Sequence, residues 1–129
     1  MSRVGKIILD NNYTNPRVVI VDEPNCLRAL DLTTNSDQRT TFQLKEEDVF
    51  RLKYRGSQLD GRSVDLTRVS AVYNLNIREI GLMSKDAYYR LIIKFNNYQN
   101  TLDGNTWDFL SVKEEIQGQI IELGKRLVK

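Results

Sequence analysis

Arg51, Lys53 and Arg55 stand at alternate positions of the run Val49-Phe50-Arg51-Leu52-Lys53-Tyr54-Arg55. In an extended strand, alternate side chains share one face about 7 Å apart. Three cations so placed would grip the phosphates of a nucleic acid, a lipid head group or an acidic protein. Arg62 lies just beyond, and Arg68 extends the same stretch. These residues, Arg51, Lys53, Arg55 and Arg62, are the candidate ligand-binding set. The competing reading is a solvated outer face neutralised by cross-strand acids such as Asp60 or Asp65. Phe50, Leu52 and Tyr54 alternate with the cations and are expected on the buried face, so a stacking platform for single-stranded bases is not evident.

Other chemistry is thinly provided. The chain contains no histidine and one cysteine, Cys26, which removes the commonest general base and the usual zinc ligands. No metal site or cofactor is expected. Asp60, Asp65, Asp103 and Asp108 are the carboxylates available for acid–base work, and all but Asp108 fall in or beside turn segments, where aspartate is common anyway. Gly56-Ser57-Gln58-Leu59-Asp60-Gly61-Arg62-Ser63 has the glycine spacing of a phosphate-binding loop, with arginine in place of lysine. Such a loop must feed a helix N-terminus, and Val64-Asp65-Leu66-Thr67 does not read as a helix start. The segment is expected to join strands, and the chain is expected not to be an enzyme.

The elements that would position these residues are mostly strands. Ile7 to Leu9, Arg17 to Val21, Leu27 to Leu32 and Arg39 to Leu44 are short apolar or alternating runs separated by Asn-, Pro- and Asp-rich turns. Val64, Leu66 and Val69 lead into Ala71, Tyr73, Leu75 and Ile77 at period two, and Gly81 to Lys85 reads as a turn. Ala87, Tyr89, Leu91, Ile93 and Phe95 form the longest alternating face, placing Tyr88 and Tyr89 on opposite sides of a strand. Asp103-Gly104 is a two-residue hairpin signal, with Thr106 to Leu110 as the returning strand and Trp107 within it.

The period then changes. Phe109, Val112, Ile116, Ile120, Leu123 and Leu127 fall on one helical stripe. Ser111 and Glu114 fit a capping box that starts the helix after Ser111, and Lys125, Arg126 and Lys129 suit its C-terminal dipole. The stripe is expected to cover the open face or end of the sheet. As the alternative, Trp107, Ile116, Ile120, Leu123 and Leu127 would form an interface with a partner or a second copy.

At 129 residues, with a net charge of +2 and 28% charged residues, the chain fits a single globular domain spanning residues 1–129. The lone cysteine, read as a small buried hydrophobe near Leu27 and Leu30, favours a reducing compartment. The apolar run Ile7-Ile8-Leu9 is too short for a signal core or membrane span, so a cytoplasmic protein is expected.

Val64-Asp65-Leu66-Thr67-Arg68-Val69, Tyr88-Tyr89-Arg90-Leu91-Ile92-Ile93-Lys94-Phe95 and Trp107-Asp108-Phe109-Leu110 before the helix resemble the second half of a bacterial pleckstrin-homology-like domain. The resemblance implies antiparallel strands and one C-terminal helix capping a barrel. Some members of that family bind inositol phosphates through basic strands, and many bind only proteins.

The expected fold is therefore α+β, mostly β: an antiparallel sheet or partly open barrel of about seven to nine strands closed by one C-terminal amphipathic helix. The expected function is a non-enzymatic module that binds a protein partner or forms a homo-oligomer. Binding of nucleic acid or another anionic ligand through the basic strand face is the alternative. A third expectation, a phage or mobile-element protein that is structural or antagonises a host, rests on small size and frequent asparagine.

Overall fold

The computed structural model describes residues 2–10, 15–52, 59–73, 76–101 and 110–127. Seven strands come first: β1 (Lys6–Asp10), β2 (Arg17–Glu23), β3 (Cys26–Thr33), β4 (Thr41–Gln43), β5 (Val49–Arg51), β6 (Ser63–Val72) and β7 (Ile77–Met83). Two helices follow, α1 (Lys85–Thr101) and α2 (Leu110–Leu127), and a 3-10 turn (Glu46–Asp48) links β4 to β5. All pairings are antiparallel, in the order β4-β6-β3-β2-β1-β7-β5.

That order forces curvature. β4 and β5 occupy opposite edges of the sheet, yet only residues 44–48 separate them. In a flat sheet six interstrand spacings of about 4.8 Å would hold them some 29 Å apart. Six Cα steps from Gln43 to Val49 reach at most about 22 Å. The sheet must curl until its edges approach. It does not close, because an odd number of alternating strands leaves the two edges parallel. A parallel neighbour pair needs a crossover of about a dozen residues or more, and the five-residue link is too short.

Bulges help the bend. Pairing between β3 and β6 jumps from Leu30↔Val69 to Leu32↔Val64, so Asp31 alone faces residues 65–68. Within this wide irregularity the Asp65 carboxylate accepts hydrogen bonds from the Thr67 amide (2.8 Å) and hydroxyl (2.6 Å). Extra residues on one strand increase twist and turn a corner.

Both faces of the central strands are buried. Ile7, Val18, Ile20, Leu30, Leu32, Val64, Leu66 and Ile80 form the main core with Ala87, Tyr88, Leu91, Ile92 and Phe95 of α1 and Val112 and Ile116 of α2. Ile8, Val19, Leu27 and Ala29, of opposite parity to Ile7, Val18 and Leu30 on the same strands, make a second cluster with Val72. Cys26 is buried at the start of β3.

Three expectations are corrected. Ala87 to Phe95 is helix, not strand, so two helices follow the sheet, and one segment that carried the resemblance to pleckstrin-homology-like domains is not extended. The run is apolar enough to satisfy both periods, and Ala87, Tyr88, Leu91, Ile92, Phe95 and Gln99 are its buried side. Ser84 decides the matter: its hydroxyl accepts the Ala87 amide at 3.1 Å as an N-cap. Gly81 is not a turn but the middle of β7, where a Cβ would stand 3.3 Å from Leu59 Cδ1 and Val49 Cγ1, so any larger residue must displace those side chains slightly. Instead β6 ends at Val72 and β7 begins at Ile77, dividing what read as one long strand. Finally, α2 begins at Leu110, so Ser111 lies inside its first turn rather than before it. Asp103-Gly104, Trp107 and Phe109 lie outside the described residues.

Candidate functional site

Arg51 ends β5, but the strand has the reverse of the expected facing. Val49 packs against the main core while Phe50 is 59% exposed, so Arg51 shares Val49's side. Its guanidinium forms an ion pair with Asp60. Gly61 carries a positive φ of 67° in the turn after Asp60, a conformation favouring glycine, and the chain then enters strand β6. The look-alike phosphate loop therefore feeds a strand. Arg51 and Asp60 line a cleft of about 680 Å³ with Leu44, Lys45, Glu46, Val49, Leu59 and Gly61, below the short link between the sheet edges. Both signs of charge are present there. Arg62 is half-buried just before β6, and Lys53 and Arg55 lie outside the described residues.

A second cation cluster emerges where the sequence pattern gave no hint. Arg17 and Asp31 are register partners on β2 and β3, 2.9 Å apart. Arg68 Nη2 reaches the other carboxylate oxygen at 3.4 Å and the Ser70 hydroxyl lies 3.5 Å from the first. Two guanidiniums thus converge on one carboxylate at the polar end of the second cluster's face. Arg17 is nearly buried, whereas the Arg68 side chain is 68% exposed. The β3–β6 bulge produces this meeting, and single-strand alternation does not reveal it.

The third feature runs along α2. A groove of about 430 Å³ lies between α2, the start of α1, β7 and the N-terminal residues. Val4, Leu82, Met83 and Leu123 supply its apolar lining, and Lys85, Arg126, Glu115 and Glu122 contribute both charges. At its base the Tyr88 hydroxyl donates to Gln119 Oε1, and Gln119 Nε2 donates to the Ile20 carbonyl at 2.8 Å. Burial, reinforced by the Glu115 charge, pushes the Tyr88 hydroxyl far above its usual range despite the opposing hydrogen bond to Gln119. Tyr88 is therefore a neutral donor with a settled partner, leaving the groove floor predominantly apolar.

Of the proposed interface stripe, Ile116 is fully buried in the chain's own core, and Ile120 and Leu123 pack partly against it. Leu127 stays exposed at the helix end. A neighbour on the opposite side of α2, Ile121, is the large apolar residue that the stripe missed, at 61% exposure.

Among the described residues no group of three or more His, Cys, Asp or Glu side chains could hold a metal ion. No helix among them is long and apolar enough to cross a membrane. No protein family, curated protein or solved structure matches the chain.

Proposed function

We propose that this domain is a non-enzymatic protein-binding module that receives a partner segment in the groove along α2. The observation that carries the reading is the composition of that groove: an apolar floor whose one buried hydroxyl is already hydrogen-bonded, framed by Lys85, Arg126, Glu115 and Glu122. A floor without unpaired donors favours an apolar side chain, and charged margins set orientation. A partner presenting one or two large apolar residues between flanking charges suits it. The sheet edges are poorer candidates. β4 and β5 are three residues long, and on β4 the Thr41 carbonyl is taken by Lys94 Nζ at 2.7 Å, a common form of edge protection.

The test is affinity capture from host lysate with the wild-type chain and with Ser2→Trp, which adds bulk at an exposed groove position. A partner retained by the first and lost by the second supports the reading. An identical set of captured proteins, or none with either, overturns it.

A second reading, recognition of a phosphate-bearing ligand such as nucleic acid, is favoured by Arg68, whose guanidinium reaches Asp31 at 3.4 Å yet stays 68% exposed to solvent. Arg51, paired with Asp60, offers less. Binding to a single-stranded oligonucleotide should then weaken with salt and drop on Arg68→Glu. Salt-independent binding, or binding indifferent to that change, counts against it.

A further inference from the structure

The outward face of α2 has a pattern that neither its core stripe nor its groove uses. Val112, Ile116, Ile120 and Leu123 face inward. Directly opposite, at spacings of four, three and four, stand Glu114, Gly118, Ile121 and Lys125, all exposed. Ile121 is a large apolar side chain in solvent. Around Gly118 nothing lies within 4 Å of where a Cβ would be, so one turn from the protruding Ile121 the helix has a notch. Glu114 and Lys125 are engaged in no ion pair among the described residues, in contrast to Glu122 and Arg126 on the groove side, whose charged ends lie 3.6 Å apart.

The pattern is self-complementary. Glu114 and Lys125 are equally far along the helix from the midpoint between Gln119 and Ile120, and so are Gly118 and Ile121. If two copies of α2 pack antiparallel across a two-fold axis through that midpoint, each Ile121 falls over the other copy's Gly118. Each Glu114 meets the other copy's Lys125. Two-fold interfaces place one patch against itself and so demand this kind of reciprocity. A glycine notch permits the close helix approach that lets a side-chain ridge enter a groove.

We infer that the outward face of α2 is a self-association surface, its occupant a second copy of this chain in antiparallel two-fold packing with Ile121 seated over Gly118. The contact is small. One helix face against another lies at the low end of specific interfaces, so the dimer is weak, reversible and sensitive to salt. It leaves the groove on the adjacent side of α2 open, and self-association is independent of whether that groove receives a partner.

Sedimentation equilibrium of the full chain, from about 10 µM to about 1 mM at low ionic strength, reads the dimer directly. A dissociation constant of about 0.1 mM is expected, rising with salt. Glu114→Lys and Lys125→Glu should each weaken dimerisation about tenfold. The double variant carrying both changes restores the pairing with signs exchanged. Ile121→Lys should abolish it, and all four variants should keep the wild-type circular dichroism spectrum because the positions are exposed. A chain that stays monomeric at about 1 mM in low salt, or a double variant no better than the singles, overturns the inference. Ser2→Trp should leave the dimer unchanged, so failure of the groove reading and failure of this one are separately visible.

Discussion

The two helices lie side by side on the same core, yet they are held there by different means. α1 is fastened at points along its length by polar side chains that end on other elements. Arg90 pairs with buried Asp48 at 3.0 Å, and within the helix with Asp86 at 3.0 Å. Lys94 Nζ donates to the carbonyls of Gln38 and Thr41, and Gln99 Nε2 to that of Leu66 at 2.9 Å. Asp48 and Thr41 belong to the turn and strand at the open seam of the sheet, so α1 clasps the place where the curled sheet fails to close. α2 is tied to the sheet by Gln119, which donates to the Ile20 carbonyl, beside an apolar stripe packed on the core. The difference separates tasks: α1 sustains the curvature, and α2 keeps a face whose chemistry is free to vary without loosening the fold.

The contrast can be pressed hardest in the core. Leu91→Ala, at a fully buried position of α1, should cost about 3 kcal/mol in urea unfolding. Ile121→Ala on the outer face of α2 should stay within about 0.5 kcal/mol. Comparable losses at the two sites would erase the distinction. A smaller effect is expected at the clasp. Arg90→Ala leaves the Asp48 carboxylate buried without its ion pair, a loss of about 1–3 kcal/mol, moderated because Arg90 itself is partly solvated. Faster amide exchange in residues 41–51 than in β2 and β3 would accompany it, and uniform exchange would deny the clasp its role. The smallest effect tests α2 alone. Gly118→Ala should stabilise the chain by about 0.5–1 kcal/mol, since alanine is the better helix former and space is open there. Gly124→Ala should gain less, because its Cβ would stand 3.1 Å from the Tyr89 hydroxyl on α1. Thermal unfolding of both variants, ranked the other way round, would contradict this picture of the α1–α2 contact.

Much of the sheet was legible because turn formers punctuate it. Asn, Pro and Asp clusters bracket β1, β2 and β3, and the short β4 falls inside the run from Arg39 to Leu44. The inward stripe of α2 was legible because Val112, Ile116, Ile120 and Leu123 recur at spacings of four, four and three, with mostly polar residues between them. α1 was not, since Ala87-Tyr88-Tyr89-Arg90-Leu91-Ile92-Ile93-Lys94-Phe95 contains adjacent apolar pairs that fill both a two-residue and a helical period. The Ser84 cap was the available signal, and the apparent turn at Gly81 obscured it. The paired state of Arg51 was anticipated through Asp60 as a competing reading. The Arg17–Asp31–Arg68 cluster was not, because it depends on a bulge between two strands more than thirty positions apart. Pairing partners of that separation leave no mark on local periodicity.

The strand order also governs the sequence of events when the chain folds. β1 pairs with β2 and β2 with β3, a meander that can form as soon as it is made. No later strand pairs with its neighbour in the chain. β6 inserts between β3 and β4, and β7 between β1 and β5. Until residues 63–83 arrive, both sides of the meander are unpaired edges and β4 and β5 have nothing to join. Such long-range pairing places folding in the slow, millisecond-to-second regime of β-rich topologies. The chain spends that interval with its stickiest edges uncovered, and an early nucleus in the first thirty-three residues must wait for the last two strands to complete it.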